Sequence, residues 1–287
     1  ALEAWLRASA AHEFGTDTAL ATARHIALWT ARDNLPGAYE LLTALPEDAQ
    51  DFEVLRWRAR SSLRKTDWPR LLRDIDDMPE ELGTTDEWSY WRAVALQRTG
   101  QATAAEAAFS RLSRERGYYG FLAADALNEQ YALDHADLQA DEAVIGAIGA
   151  RSAIIRAREL FHVGLEGRGR SEWDDAVKSM SEEEQRQAAI LASRWGWHSR
   201  AIATAASLGE YDDLGIRYPL PYKPLFESSS SQASISTTWA YGIARSESLF
   251  MRDVRSSAGA IGLMQVMPAT GRRVARSLRI PYSGLAT

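Results

Sequence analysis

From Pro79 to Pro219 the chain contains no proline. Pro36, Pro46, Pro69 and Pro79 precede that interval, and Pro219, Pro221 and Pro224 close it. Proline removes a backbone donor and clashes with the preceding helical turn, so so long a gap allows helix after helix without interruption. Valine, at eight residues, is scarce, while Ala and Leu are abundant, which again favours helix over strand. An all-α fold is therefore expected.

A weak internal repeat sharpens that expectation. Trp57-Arg58-Ala59 and Trp91-Arg92-Ala93 lie 34 residues apart, and the second copy continues through Leu96, Gly100, Ala105 and Phe109. This spacing of large and small residues approaches that of tetratricopeptide helix pairs, which stack into a curved superhelix. Trp29, Trp57, Trp91 and Trp195 are expected to be anchors in the core between helices. At Tyr218-Pro219-Leu220-Pro221-Tyr222-Lys223-Pro224, followed by Ser228 to Ser231, the texture changes to that of an extended connector. Three segments follow: an α-superhelical domain over 1–140, a helical linker domain with the Pro-rich connector over 141–227, and a separate module over 228–287.

Charge divides the chain in the same place. The net charge is −6, yet the piece from Ile235 onward carries seven Arg against Glu247 and Asp253, or +5, leaving −11 for the rest. An acidic body argues against a general nucleic-acid binder. No apolar run approaches the roughly 20 residues of a membrane-spanning helix. Without Cys there are no thiol nucleophiles or thiolate sites, and the five scattered His form no His-Glu-x-x-His pattern, so no metal site is expected. No phosphate-cradling glycine loop appears either, and no cofactor is expected.

Chemistry concentrates in the last segment. Ser236, Thr237 and Thr238 are cap candidates for a helix reaching about Phe250. On it Glu247 shares a face with Ala240, Ile243, Ala244 and Phe250. Burial disfavours the charged form of a carboxylate, the condition a general acid needs near neutral pH. The alternative is an edge Glu paired with Arg245 or Arg252. The glycines of Ser256-Ser257-Ala258-Gly259-Ala260-Ile261-Gly262 permit a tight turn close to a ligand. Leu263-Met264-Gln265-Val266-Met267 leads to Pro268, which suits the first turn of a helix reaching about Leu278.

Taken in order, Ile243-Ala244-Arg245-Ser246-Glu247-Ser248-Leu249-Phe250 and then Ala258-Gly259-Ala260-Ile261-Gly262-Leu263-Met264-Gln265-Val266-Met267-Pro268-Ala269-Thr270 resemble the soluble lytic transglycosylases. Tyr218 to Tyr222 resembles the connector before that family's catalytic domain. Tyr118-Tyr119-Gly120-Phe121-Leu122-Ala123-Ala124 and Arg194-Trp195-Gly196-Trp197 resemble parts of its superhelix and linker.

The resemblance implies a periplasmic enzyme with a helical superhelix followed by the beginning of a lysozyme-like, goose-type-like catalytic domain. It implies cleavage of the β-1,4 bond between N-acetylmuramic acid and N-acetylglucosamine in peptidoglycan glycan strands, leaving 1,6-anhydromuramic ends. Glu247 would be acid and then base, with Ser256, Gly259, Met264, Gln265 and Met267 at the sugar subsites. Cell-wall protein partners could dock on the superhelix. The family's Ala-Tyr-Asn-Ala-Gly block is not in this sequence, so an incomplete catalytic domain is expected.

A lysozyme-type hydrolase needs a second carboxylate roughly 5–9.5 Å from the first. The other acid here, Asp253, is expected to face away and be structural. A third reading is an inert helical scaffold for protein partners.

Overall fold

The computed structural model describes residues 15–282 together with Arg7. Among these are seventeen α-helices and no β-strand, only the isolated bridges Arg255–Ile261 and Ile261–Val266. The all-α expectation holds. The chain divides into two compact units, Ala1–Leu133 and Asp134–Thr287.

The first unit holds α1 (Thr16–Arg32), α2 (Ala38–Thr43), α3 (Phe52–Arg64), α4 (Trp68–Asp76), α5 (Glu80–Gly83), α6 (Asp86–Arg98), α7 (Ala102–Leu112) and α8 (Tyr118–Leu127). Helices pack on their near neighbours in sequence, and the apolar residues form three successive cores. α3 illustrates why: Val54 faces the first core, while Leu55 and Ala59 face the second. A helix with two buried faces must be sandwiched, so each layer needs the next. The repeat falls on these contacts. Ala59 and Ala93 are fully buried, as are Ala105 and Phe109 one helix later.

Not every Trp anchor lies where expected. Trp29 is 48% exposed, and Trp57, Trp91 and Trp195 are only partly buried. Among the described residues the fully enclosed indoles are Trp88, Trp173 and Trp197. Trp29 and Trp57 instead serve as platforms for Arg32, and for Arg60 and Arg64, at 5.2–5.7 Å.

The first unit also buries an acid. Asp74, on α4, is 2% exposed and accepts hydrogen bonds from Tyr39 Oη (2.9 Å) and Ser62 Oγ (2.5 Å). Arg58 Nε lies 3.0 Å from its Oδ1, while the Arg58 Nη atoms donate to Gln50 and Asp77. Burial pushes the Asp74 carboxyl up, against the lowering by Ser62, Tyr39 and Arg58. A folded pKa above the unfolded one means stabilisation that is complete below about pH 4, the ordinary aspartate range, and lost as pH rises through the folded value. Urea midpoints should therefore move in favour of wild type over Asp74→Asn as pH falls from about 7 toward 4. A pH-independent difference would contradict this.

The second unit holds α9 (Glu142–Gly149), α10 (Ser152–His162), α11 (Glu166–Lys178), α12 (Glu182–Arg194), α13 (His198–Ser207), α14 (Leu214–Arg217), α15 (Lys223–Ala233), α16 (Thr237–Ser248) and α17 (Pro268–Leu278). Its larger core centres on Ile148, Ile154, Trp173, Ala188 and Trp197. A smaller one joins Ile202, Phe226, Ala240, Tyr241, Ala244 and Phe250. The expected extended connector is shorter than its composition implied. Tyr218 to Tyr222 is non-helical, but Lys223 to Ala233 forms α15, with Pro224 in the first turn and Phe226 and Ser230 buried. Proline is tolerated there because the first helical N–H groups have no intrahelical partner. Among the described residues, no helix is long and apolar enough to cross a membrane.

Candidate active site

The site is built on α16 and the segment that returns to it. Ser236 caps α16, accepting from Trp239 N–H at 3.4 Å. The helix stops at Ser248, two residues before the expected end, because Leu249 and Phe250 are both left-handed (φ 49° and 65°). Its buried stripe is Ala240, Tyr241, Ala244 and Ser248. Tyr241 fixes this rotation by stacking on Phe226 at 4.2 Å and donating from Oη to the Pro221 carbonyl at 2.9 Å.

That rotation corrects one expectation. Glu247 lies at the edge of the buried stripe, not on it, and is exposed. It has no hydrogen bond or ion pair to a described residue, so neither proposed arginine is its partner. Arg245 Nε donates to the Arg217 carbonyl at 2.7 Å with its guanidinium 4.5 Å from the Tyr218 ring, and burial pushes its pKa down. Arg252 Nη2 turns to Glu166, at 3.4 Å.

Beyond α16 the chain makes a compact loop. Ser256 N–H donates to the Ala260 carbonyl and Ser256 Oγ accepts from Ala260 N–H, both at 3.0 Å. Gly262 N–H donates to the Val254 carbonyl at 3.0 Å, and Ile261 exchanges backbone hydrogen bonds with Val266 at 3.1 Å. Gly259 (φ 91°) and Gly262 (φ 73°) occupy backbone conformations that side chains disfavour, which is why the turn needs glycine there. Gln265 Nε2 donates to the carbonyls of Gly262 (2.9 Å) and Val254 (3.2 Å), leaving its amide oxygen available. Met267 is the exposed N-cap of α17. Met264 packs against the smaller core beneath the loop, so its side chain supports the site from below. Asp253 faces α11, where Arg170 grips both of its oxygens at 2.9 and 3.0 Å.

Family models match at residues 147–214, the soluble lytic murein transglycosylase L domain, and at residues 224–286, the transglycosylase SLT domain. The soluble lytic murein transglycosylase of Escherichia coli K12 is 33% identical over 236 residues, 81% of this chain and 36% of that protein. The X-ray structure of the inactive Glu-to-Gln mutant of lytic transglycosylase Slt from Pseudomonas aeruginosa superposes with a TM-score of 0.84 at 32% identity. That match covers 98% of this chain and 46% of the other. The 70-kDa soluble lytic transglycosylase in complex with bulgecin A gives 0.82 at 30% identity, over 94% and 44%. The chain belongs to the soluble lytic murein transglycosylase family. It spans about a third of the length of the curated relative it matches.

One residue that the sequence reading missed connects the parts. Buried Ser248 Oγ contacts the Ala244 carbonyl at 3.0 Å and the Leu263 carbonyl at 2.8 Å. A serine after a candidate acid reads as a capping or solvated residue, and only the fold shows that it straps the loop to α16. Ser248→Ala should cost roughly 0.5–1.5 kcal/mol, seen as a lower urea midpoint with unchanged m. An unchanged midpoint would remove the strap from the energetics.

Proposed function

We propose that this chain carries the acid and part of the sugar-binding rim of a peptidoglycan lytic transglycosylase. The observation that carries the reading is the isolation of Glu247. It stands exposed beside the strapped loop, while the other carboxylate of this segment, Asp253, is occupied by Arg170. A single unpaired carboxylate suits a reaction in which one group acts first as acid and then as base.

Glu247 donates its proton to the glycosidic oxygen as the muramoyl C1–O bond breaks. The resulting carboxylate then accepts the proton of the same sugar's C6 hydroxyl, whose oxygen bonds to C1. No water is consumed, because the internal nucleophile is already in place. Bound glycan covers Glu247 and excludes solvent, replacing the burial that the isolated helix face lacks. Ser256, Gly259, Gln265 and Met267 form the rim, with Met264 supporting it. Exposed Arg255, Arg272, Arg273, Arg276 and Arg279 give the segment a field suited to anionic glycan-peptide strands. Residues 1–140 and 141–227 act as superhelix and linker, with the superhelix open to cell-wall protein partners, and the working compartment is the periplasm.

Digestion of purified sacculi by the full-length protein, followed by mass spectrometry, tests the reading. Intramolecular capture gives products about 18 Da lighter than hydrolysis, since no water is added, and without a reducible end. Reducing ends would identify a hydrolase instead.

A further inference from the structure

Four charged side chains tie the turn after α16 to α11. Arg170 holds Asp253 in a two-pronged hydrogen bond. One helical turn earlier Glu166, only 9% exposed, lies 3.8 Å from Arg170 and accepts from Arg252 at 3.4 Å. Arg252 also lies over the Tyr222 ring. The partners in the Arg170–Asp253 pair are 83 residues apart, so the pair joins separate elements instead of bracing one.

Asp253 immediately precedes Val254, whose carbonyl receives both Gly262 N–H and Gln265 Nε2. An unbroken path therefore runs from the Arg170 guanidinium through one peptide unit to the amide at the rim. The two left-handed residues at 249 and 250 set the chain's direction into this turn, and the clamp fixes where it lands. Most exposed ion pairs are worth little, but a planar fork on a carboxylate constrains angle as well as distance. Arg170 also keeps only 19% of its side chain exposed.

We propose that Arg170 is a positioning residue for the loop 254–267, orienting Gln265 through Asp253 and Val254. What the loop binds rests on the transglycosylase reading above; the clamp itself does not. The neighbouring helix thereby sets affinity for glycan without touching it.

The test uses the full-length protein in a Glu247→Gln background. It measures amide exchange at Gly262 and Val266 and the dissociation constant for a GlcNAc–MurNAc tetrasaccharide. Arg170→Ala should speed exchange at Gly262 about fivefold and weaken tetrasaccharide binding by a similar factor, with the global unfolding midpoint little changed. Arg170→Lys keeps the charge but loses the fork and should fall between. The exchanged pair Arg170→Asp with Asp253→Arg should bring both readouts back to within about twofold of the parent. Unchanged exchange in Arg170→Ala would overturn the proposal, as would faster exchange with unaltered binding, or a reversed pair that restores nothing. Failure of the parent to bind the tetrasaccharide would sink the transglycosylase reading alone. The exchange data would then still decide the clamp, sustaining it if protection is lost in Arg170→Ala and regained in the reversed pair.

Discussion

On the function proposed above, Glu247→Gln should lower turnover of peptidoglycan by about 10²–10⁴-fold, the range for loss of a general acid–base group. The amide keeps the shape of the side chain and removes its transferable proton. On the proposed mechanism two steps suffer together, since one carboxyl would protonate the leaving oxygen and then deprotonate the C6 hydroxyl. Because Glu247 is exposed and bonds to no described residue, folding should be unaffected. The expected pattern is a collapse of kcat, nearly unchanged glycan binding and an unchanged urea midpoint. Rates of 1,6-anhydro product release, counted by mass spectrometry, check it. Turnover within roughly threefold of wild type, less than 1 kcal/mol of barrier, would mean another group supplies the proton.

Asp74→Ala should destabilise the first unit by about 1–3 kcal/mol, the cost of leaving buried donors without their acceptor. Arg58 keeps Asp77 and Gln50, but its Nε loses the Asp74 oxygen 3.0 Å away, while Tyr39 and Ser62 lose their acceptor. These side chains come from α2, α3 and α4, so one truncation loosens a three-helix junction. Chemical denaturation of the intact protein should show a lower midpoint for the transition of this unit. Asp74→Asn, which retains an acceptor for Tyr39, should lose markedly less at neutral pH. Equal losses in the two variants would show that packing, not the polar network, carries the stability.

Much of this was legible in order and spacing. The proline-free interval and the scarcity of valine specified helices, because those features act locally on the backbone. Pro268 set the start of α17 and Ser236 the cap of α16, again through local bonds. The ordered motif around Glu247 and Gln265 pointed to the candidate site, since its residue types and intervals are themselves the signal.

Direction and burial were less legible, because they depend on what packs from elsewhere in the chain. Glu247 and Ser248 differ by one position, and the stack of Tyr241 on Phe226 decided that the serine is buried and the glutamate exposed. Trp29 and Trp88 sit in equally helical stretches, yet only the second is enclosed by neighbouring helices. Asp253 reads as a structural acid in one dimension, but its partner on α11 could not be read from spacing. The sequence by itself determined that the chain is helical and which residues are candidates for the chemistry, through backbone conformational preference and residue type. Tertiary packing decided which way each side chain faces and which charges meet, because those outcomes require the rotation of one helix against another.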